Sequence, residues 1–189
     1  PQSIEPEADK LNIYYDFCFP DHTDKILCNE WQRNQLYNLF GVNKDIYAFL
    51  KRTFDNPLFL HQLTPLCEYF YKRSKVGNNS KMYIHLQKKW IDIACFNKKG
   101  LLFANSFEYG DIHDAAYYIL NVWEQQGFDQ EKDELQLTGD KEPRQIITRI
   151  AQEYIRQVMP SIFPPQLFKL GKETLEAPFD LTVIPLCEL

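Results

Sequence analysis

The chain has 189 residues, 44% hydrophobic and 25% charged, the balance of a folded protein with a sizeable core rather than a disordered segment. Its formal net charge of −5 provides no global attraction for phosphate backbones, so nucleic acid is not expected as a partner. Its 7 glycines are too few for several glycine-rich phosphate loops, and no run approaches the ~20 apolar residues of a membrane-spanning helix, so direct membrane insertion is not expected either.

Residues 1–10 are polar and acidic with two prolines, and they read as a flexible lead-in. Leu11 to Phe19 (LNIYYDFCF) is aromatic and β-branched and ends at Pro20-Asp21, which predicts a strand. Lys25 to Trp31 (KILCNEW) predicts a second. Gln35 to Val42 (QLYNLFGV) fits either strand or helix, as short apolar runs do. From Asp45 to Phe54 the apolar residues Ile46, Phe49, Leu50 and Phe54 recur at helical spacing. Pro57 to Gln62 (PLFLHQ) reads as a brief buried strand. Thr64 then suits an N-cap with Pro65 at the first helical position, opening a helix to about Ser74. Val76 to Ser80 (VGNNS) is a loop of turn formers and the expected internal boundary.

Beyond that loop, Met82 to Gln87 alternates, with Met82, Ile84 and Leu86 on one face. Trp90 to Phe96 and Leu101 to Tyr109 follow, the last two joined by the Asn97-Lys98-Lys99-Gly100 turn, so the three form an antiparallel meander. Asp111, with Asp114 three residues on, caps a helix carrying the stripe Ile112, Ala115, Ala116, Ile119, Val122 and Trp123. Gly127 suits its left-handed end. Glu134 to Thr138 is a short strand and Gly139-Asp140 a turn. Pro143 opens a helix whose stripe runs through Ile146, Ile147, Ile150, Tyr154, Ile155 and Val158 and stops before Pro160. Leu181 to Leu186 (LTVIPL) reads as a terminal strand, with Pro185 near an edge.

Five cysteines (18, 28, 67, 95 and 187) are widely spaced with no C-x-x-C pair, which is the pattern of reduced thiols in a cytosolic protein. The Lys72-Arg73-Ser74-Lys75 run is the best local basic patch, but cations also suit a solvated helix end. Histidines 22, 61, 85 and 113 are scattered. His61 reads as a satisfied buried imidazole, and His85 with Cys95 across the hairpin supplies only two ligands, which do not make a metal site.

The stretches "LLFANSFEYGDIHDAAYYILNVWEQQG" and "LQLTGD" resemble an uncharacterised Bacteroidetes family classed as a domain of unknown function. That family is similar to the actin-like ATPase superfamily (ASKHA, ribonuclease H-like), close in shape to the pilus-assembly protein PilM and the cytoplasmic part of the secretion protein GspL. The resemblance covers most of the chain and is strongest from Met82 onward. Members are longer than 189 residues. The chain also starts at Pro1-Gln2-Ser3 without methionine, so a fragment or processed chain lacking the opening strands of the first lobe is expected.

Actin-like ATPases hold phosphates in one strand-turn-strand loop per lobe, which the resemblance places at Leu86-Gln87-Lys88-Lys89-Trp90 for the second lobe. This loop has neither glycine nor carboxylate. The adenosine-site glycine pair corresponds to Thr138-Gly139-Asp140, where an aspartate would repel a diphosphate unless a metal intervened. A metal-dependent nuclease on this fold would need converging carboxylates. Asp92 is expected to face solvent or pair with Lys99. Capping accounts for Glu108, Asp111 and Asp114 at one strand-to-helix junction, and Asp140 is the remaining acid.

These readings combine into an α/β protein with actin-like (ribonuclease H-like) lobes, a mixed sheet containing an antiparallel three-strand meander, and helices packed on it. Residues 1–76 are read as a truncated first lobe and 77–189 as the second lobe. The expected function is a non-catalytic cytoplasmic scaffold that binds another protein, with no cofactor and no catalytic or metal residues. The alternative is ATP binding or hydrolysis with Mg at Thr138, Gly139 and Asp140, and a nuclease stands a distant third.

Overall fold

In a computed structural model, the described residues are 10–31, 36–161, 164, 171 and 177–187. The chain divides into two compact units, Pro1–Thr64 and Pro65–Glu188. The division falls ahead of the 65–74 helix, whereas the Val76–Ser80 loop lies behind it.

The first unit holds α1 (Leu11–Cys18), the antiparallel hairpin β1 (Lys25–Trp31) and β2 (Leu36–Val42), and α2 (Lys44–Thr53). Leu11–Cys18 is a helix, not the expected strand. Its Leu11, Tyr15 and Phe19 recur at a spacing of four, and the Tyr15 ring lies 4.8 Å from both Phe19 and His22. Helix α2 is capped by Asn43, whose side-chain oxygen accepts from the Asp45 and Ile46 amides at 2.9 and 3.2 Å. Pro57 to Gln62 forms no strand. The Asn29 side chain takes over its backbone groups, donating to the Phe59 carbonyl and accepting from the His61 amide, both at 2.9 Å. Thr64 is not the N-cap. It lies in the first turn of α3 (Leu63–Ser74), and its hydroxyl donates to Asn29 Oδ1 at 3.0 Å.

The second unit is a five-stranded sheet of order β5-β4-β3-β6-β7, made of β3 (Lys81–Leu86), β4 (Trp90–Asn97), β5 (Gly100–Glu108), β6 (Glu134–Gly139) and β7 (Gln157–Pro160). The meander β3–β4–β5 is antiparallel, and β6 and β7 run parallel to β3. Helices α4 (Ile112–Gln125) and α5 (Lys141–Ala151) pack on the face carrying Met82, Ile84, Leu86, Ile93, Leu135 and Leu137. On the opposite face, Phe70 of α3 stacks on Tyr83 with ring centroids 4.5 Å apart. Phe179 of α6 (Phe179–Val183) lies 6.2 Å from Phe70. Because both faces are covered, every residue of β3 is buried, polar ones included.

Two further expectations change here. The stripe read as one long helix ends at Ala151. Residues 152–154 turn, and Val158 lies in β7, flanked by Arg156, whose N–H donates to the Gln130 carbonyl, and by Ser161, whose N–H donates to the Leu137 carbonyl. Pro160 is tolerated because β7 is an edge strand. Leu181 to Leu186 is helical rather than extended: α6 starts on the Pro178 carbonyl, which accepts from the Leu181 and Thr182 amides, and a 3-10 turn (Ile184–Leu186) carries Pro185 in its first turn.

Candidate functional site

The carboxyl ends of the parallel strands β3 and β6 open onto a cavity of about 700 Å³. In open α/β sheets this is where ligands tend to bind. Strand β3 contributes His85, and β6 contributes Thr138 and Gly139. Lys141 and Arg144 come from the first turn of α5, and Asp180 from α6, with Asp140 and Ser161 also in the wall.

Three residues selected on resemblance, Thr138, Gly139 and Asp140, all line this cavity. Their local roles are largely structural. The buried Thr138 hydroxyl donates to the Ile84 carbonyl at 2.9 Å and contacts His85 Nδ1 at 3.1 Å. Gly139 has φ +90°, and a Cβ there would overlap the Leu86 carbonyl oxygen and stand 2.7 Å from the Leu86 nitrogen. The glycine therefore serves the approach of β6 to β3. Asp140 N–H donates to that same Leu86 carbonyl at 2.8 Å. Its side chain is exposed and makes no capping hydrogen bond at the start of α5.

His85 is the residue sequence reasoning left aside. It is 2% exposed, and burial pushes its imidazole below the ordinary histidine value, while Asp92, Asp180 and Asp140 act in the opposite sense. Around the cavity, Ser161 Oγ and Asp180 Oδ1 are buried with no hydrogen-bond partner among the described residues. No sequence signal joins these groups, because they come from separate elements that meet only after the sheet forms.

Comparison with known proteins places the chain. Residues 1–158 match the family described as "Protein of unknown function (DUF3822)". The chain belongs to that family. A solved structure of a Bacteroides thetaiotaomicron protein, described as having an actin-like ATPase fold and unknown function, is 31% identical to this DUF3822 chain. It superposes with a TM-score of 0.83 over 97% of this chain and 67% of its own. No curated protein matches. The fold of this DUF3822 chain is thus the actin-like α/β fold that its strand-helix order predicts.

The remaining candidate residues are accounted for by packing. Asp92, expected at the surface, is buried and accepts from the Ser106 hydroxyl at 2.5 Å. His85 and Cys95 do not pair: the register sets His85 opposite Asp92 and Cys95 opposite Met82, on opposite faces of the sheet. Among the described residues, no group of three or more His, Cys, Asp or Glu side chains is arranged to hold a metal. Burial pushes the Cys67 thiol up to about 12, with Asp92 adding to the effect, and raises Cys95 as well. Cations of the 72–75 run are engaged locally: Lys72 Nζ donates to the Leu186 carbonyl at 3.0 Å, and Lys75 Nζ sits 4.3 Å over the Tyr71 ring. Asp111 and Asp114 form a reciprocal capping box on α4. Among the described residues, no helix is long and apolar enough to cross a membrane.

Proposed function

We propose that this protein is a non-catalytic, protein-binding scaffold module of a cytoplasmic assembly, with an actin-like fold that is not used to hydrolyse ATP. The observation that carries the reading is the apolar surface of the first unit. On α1, Phe17 is 88% and Ile13 64% exposed; on α2, Ile46 is 55% and Phe49 54% exposed. Helix α2 turns Tyr47 inward, 5.0 Å from the Phe59 ring, so Ile46 and Phe49 face away from that contact. Each helix carries a neighbouring pair of exposed apolar side chains, and exposed apolar patches mark protein-interaction surfaces, where aromatic residues are enriched. The resemblance of this family to PilM and the cytoplasmic part of GspL, read from the sequence, favours the same reading by analogy, because those proteins act as assembly platforms. The Lys88-Lys89 turn after β3 offers no glycine to cradle a phosphate, and in the cavity wall Asp140 and Asp180 oppose a polyphosphate.

Affinity capture from extracts of the source cells tests the proposal, using the wild-type chain beside an Ile46→Asp/Phe49→Asp variant. Both positions are more than half exposed. Folding stability should therefore change by no more than about 0.5 kcal/mol. The expected result is a partner retained by the wild type and lost by the variant, with unchanged unfolding curves. An identical set of captured proteins would overturn the reading. The second reading, ATP binding at the cavity, rests on Lys141 and Arg144 in its wall, and a saturable rise in melting temperature with millimolar Mg-ATP would select it.

A further inference from the structure

The polar groups of the cavity are unevenly satisfied. Thr138 has one hydroxyl proton, which goes to the Ile84 carbonyl, so its oxygen accepts from His85 and fixes the proton on Nδ1. The ring's Nε2 is then a lone-pair acceptor, and among the described residues no hydrogen bond occupies it. His85 itself is 98% buried and lines the cavity. Beside it, Asp180 Oδ1 is a second acceptor without a partner among the described residues, and the Asp140 carboxylate also acts on the ring. This end of the cavity asks for a hydrogen-bond donor carrying positive charge. On α5 the reverse holds: Lys141 and Arg144 are cationic donors, and just beyond β7 the Ser161 hydroxyl, also in the wall, is buried with no hydrogen-bond partner among the described residues. An unsatisfied buried polar group costs about 1–3 kcal/mol, so a ligand that satisfies several at once has a large advantage over bulk water.

Charge selects among ligands. Two cations and two carboxylates line the cavity with a neutral imidazole, so a bare phosphate meets Asp140 and Asp180, and a bare cation meets Lys141 and Arg144. We propose that the cavity binds a small organic zwitterion, its ammonium group donating to His85 Nε2 and Asp180 and its carboxylate accepting from Arg144, Lys141 and Ser161. Pro178 and Phe179 form an apolar wall for the carbon chain between the two charges. A volume of about 700 Å³ is ample for such a ligand. The site is independent of the apolar faces of α1 and α2, so either proposal can fail without the other.

A series of ω-amino acids of increasing span, from glycine through β-alanine and 4-aminobutyrate to 6-aminohexanoate, measures the distance between the two poles. Calorimetric titration of the full chain should give saturable binding with at least one member, accompanied by a rise in melting temperature. Butyrate and butylamine, which each carry one of the charges, should bind at least about tenfold more weakly. Asp180→Asn and Arg144→Gln should each weaken the best member by about tenfold or more, since each removes one charged partner. A bound ammonium should also shift the His85 Nε2 resonance in nitrogen NMR, a readout that does not depend on either variant folding. The proposal is overturned if no member of the series binds, or if butylamine or butyrate binds as tightly as the best zwitterion.

Discussion

Gly139 and Gly127 both have positive φ, at +90° and +68°, yet the two substitutions to alanine should behave differently. At Gly127 an added Cβ meets nothing within 4 Å, so the cost is the left-handed backbone alone, about 1–2 kcal/mol. At Gly139 the same strain is joined by a clash with the backbone of Leu86, which cannot move aside as a flexible side chain can. Gly139→Ala should therefore cost more than about 3 kcal/mol in urea denaturation and clearly exceed Gly127→Ala. A result with the two equal would mean that β6 shifts to absorb the new atom.

His85 makes a second residue-scale prediction. Its folded-state pKa lies below the unfolded value because burial disfavours the charged ring. The unfolded chain therefore takes up a proton near pH 6.5 that the folded chain refuses until lower pH. Stability from this group is fully present above the unfolded pKa and declines as pH falls through the interval below it. The groups facing it are Asp92 on β4, Asp180 on α6 and Asp140 ahead of α5. Melting temperature should drop between pH 7 and pH 5, and His85→Gln should flatten that slope.

Among the elements, the ones legible in sequence are those whose apolar period is unambiguous and whose ends carry chemistry of their own. Helix α4 has both, with its stripe closed by the Asp111–Asp114 capping box and by Gly127. Replacing Asp111 by alanine should lower stability by about 1 kcal/mol in chemical denaturation without altering the sheet. Where the reading missed, local signals fitted two outcomes. LNIYYDFC has the aromatic and β-branched composition of a strand but also places Leu11 and Tyr15 one helical turn apart. Tyr154, Ile155 and Val158 extend the α5 stripe on paper, yet the chain turns after Ala151 to pair with β6. A partner strand distant in sequence decides that outcome, and local spacing carries no trace of it. The candidate site divides in the same way. Thr138 to Asp140 form one contiguous motif and were legible, whereas His85, Arg144, Ser161 and Asp180 are brought to the cavity from four separate segments.

At the scale of the molecule, the two units differ in how deeply their strands are buried. The strands β3 and β6 lie inside the five-stranded sheet, β3 wholly buried and β6 buried from Leu135 to Thr138. Strand β2 of the first unit has no fully buried residue, and β1 has only Trp31. Hydrogen exchange should follow this division, with amides of β3 and β6 exchanging last and those of β1 and β2 much earlier. Exchange of all four strands at one common rate would instead indicate that the two units unfold as a single cooperative body.

Gly139 also bears on how the history of such chains is read. A glycine at the end of this strand is demanded by the neighbouring backbone, whether or not anything binds beyond it. Descendants that lost a nucleotide would keep it, just as those that retained one would. Its persistence across an alignment would record the geometry of strand pairing, and the position after it, Asp140, free of that geometric demand, is where selection for or against a ligand would leave its mark.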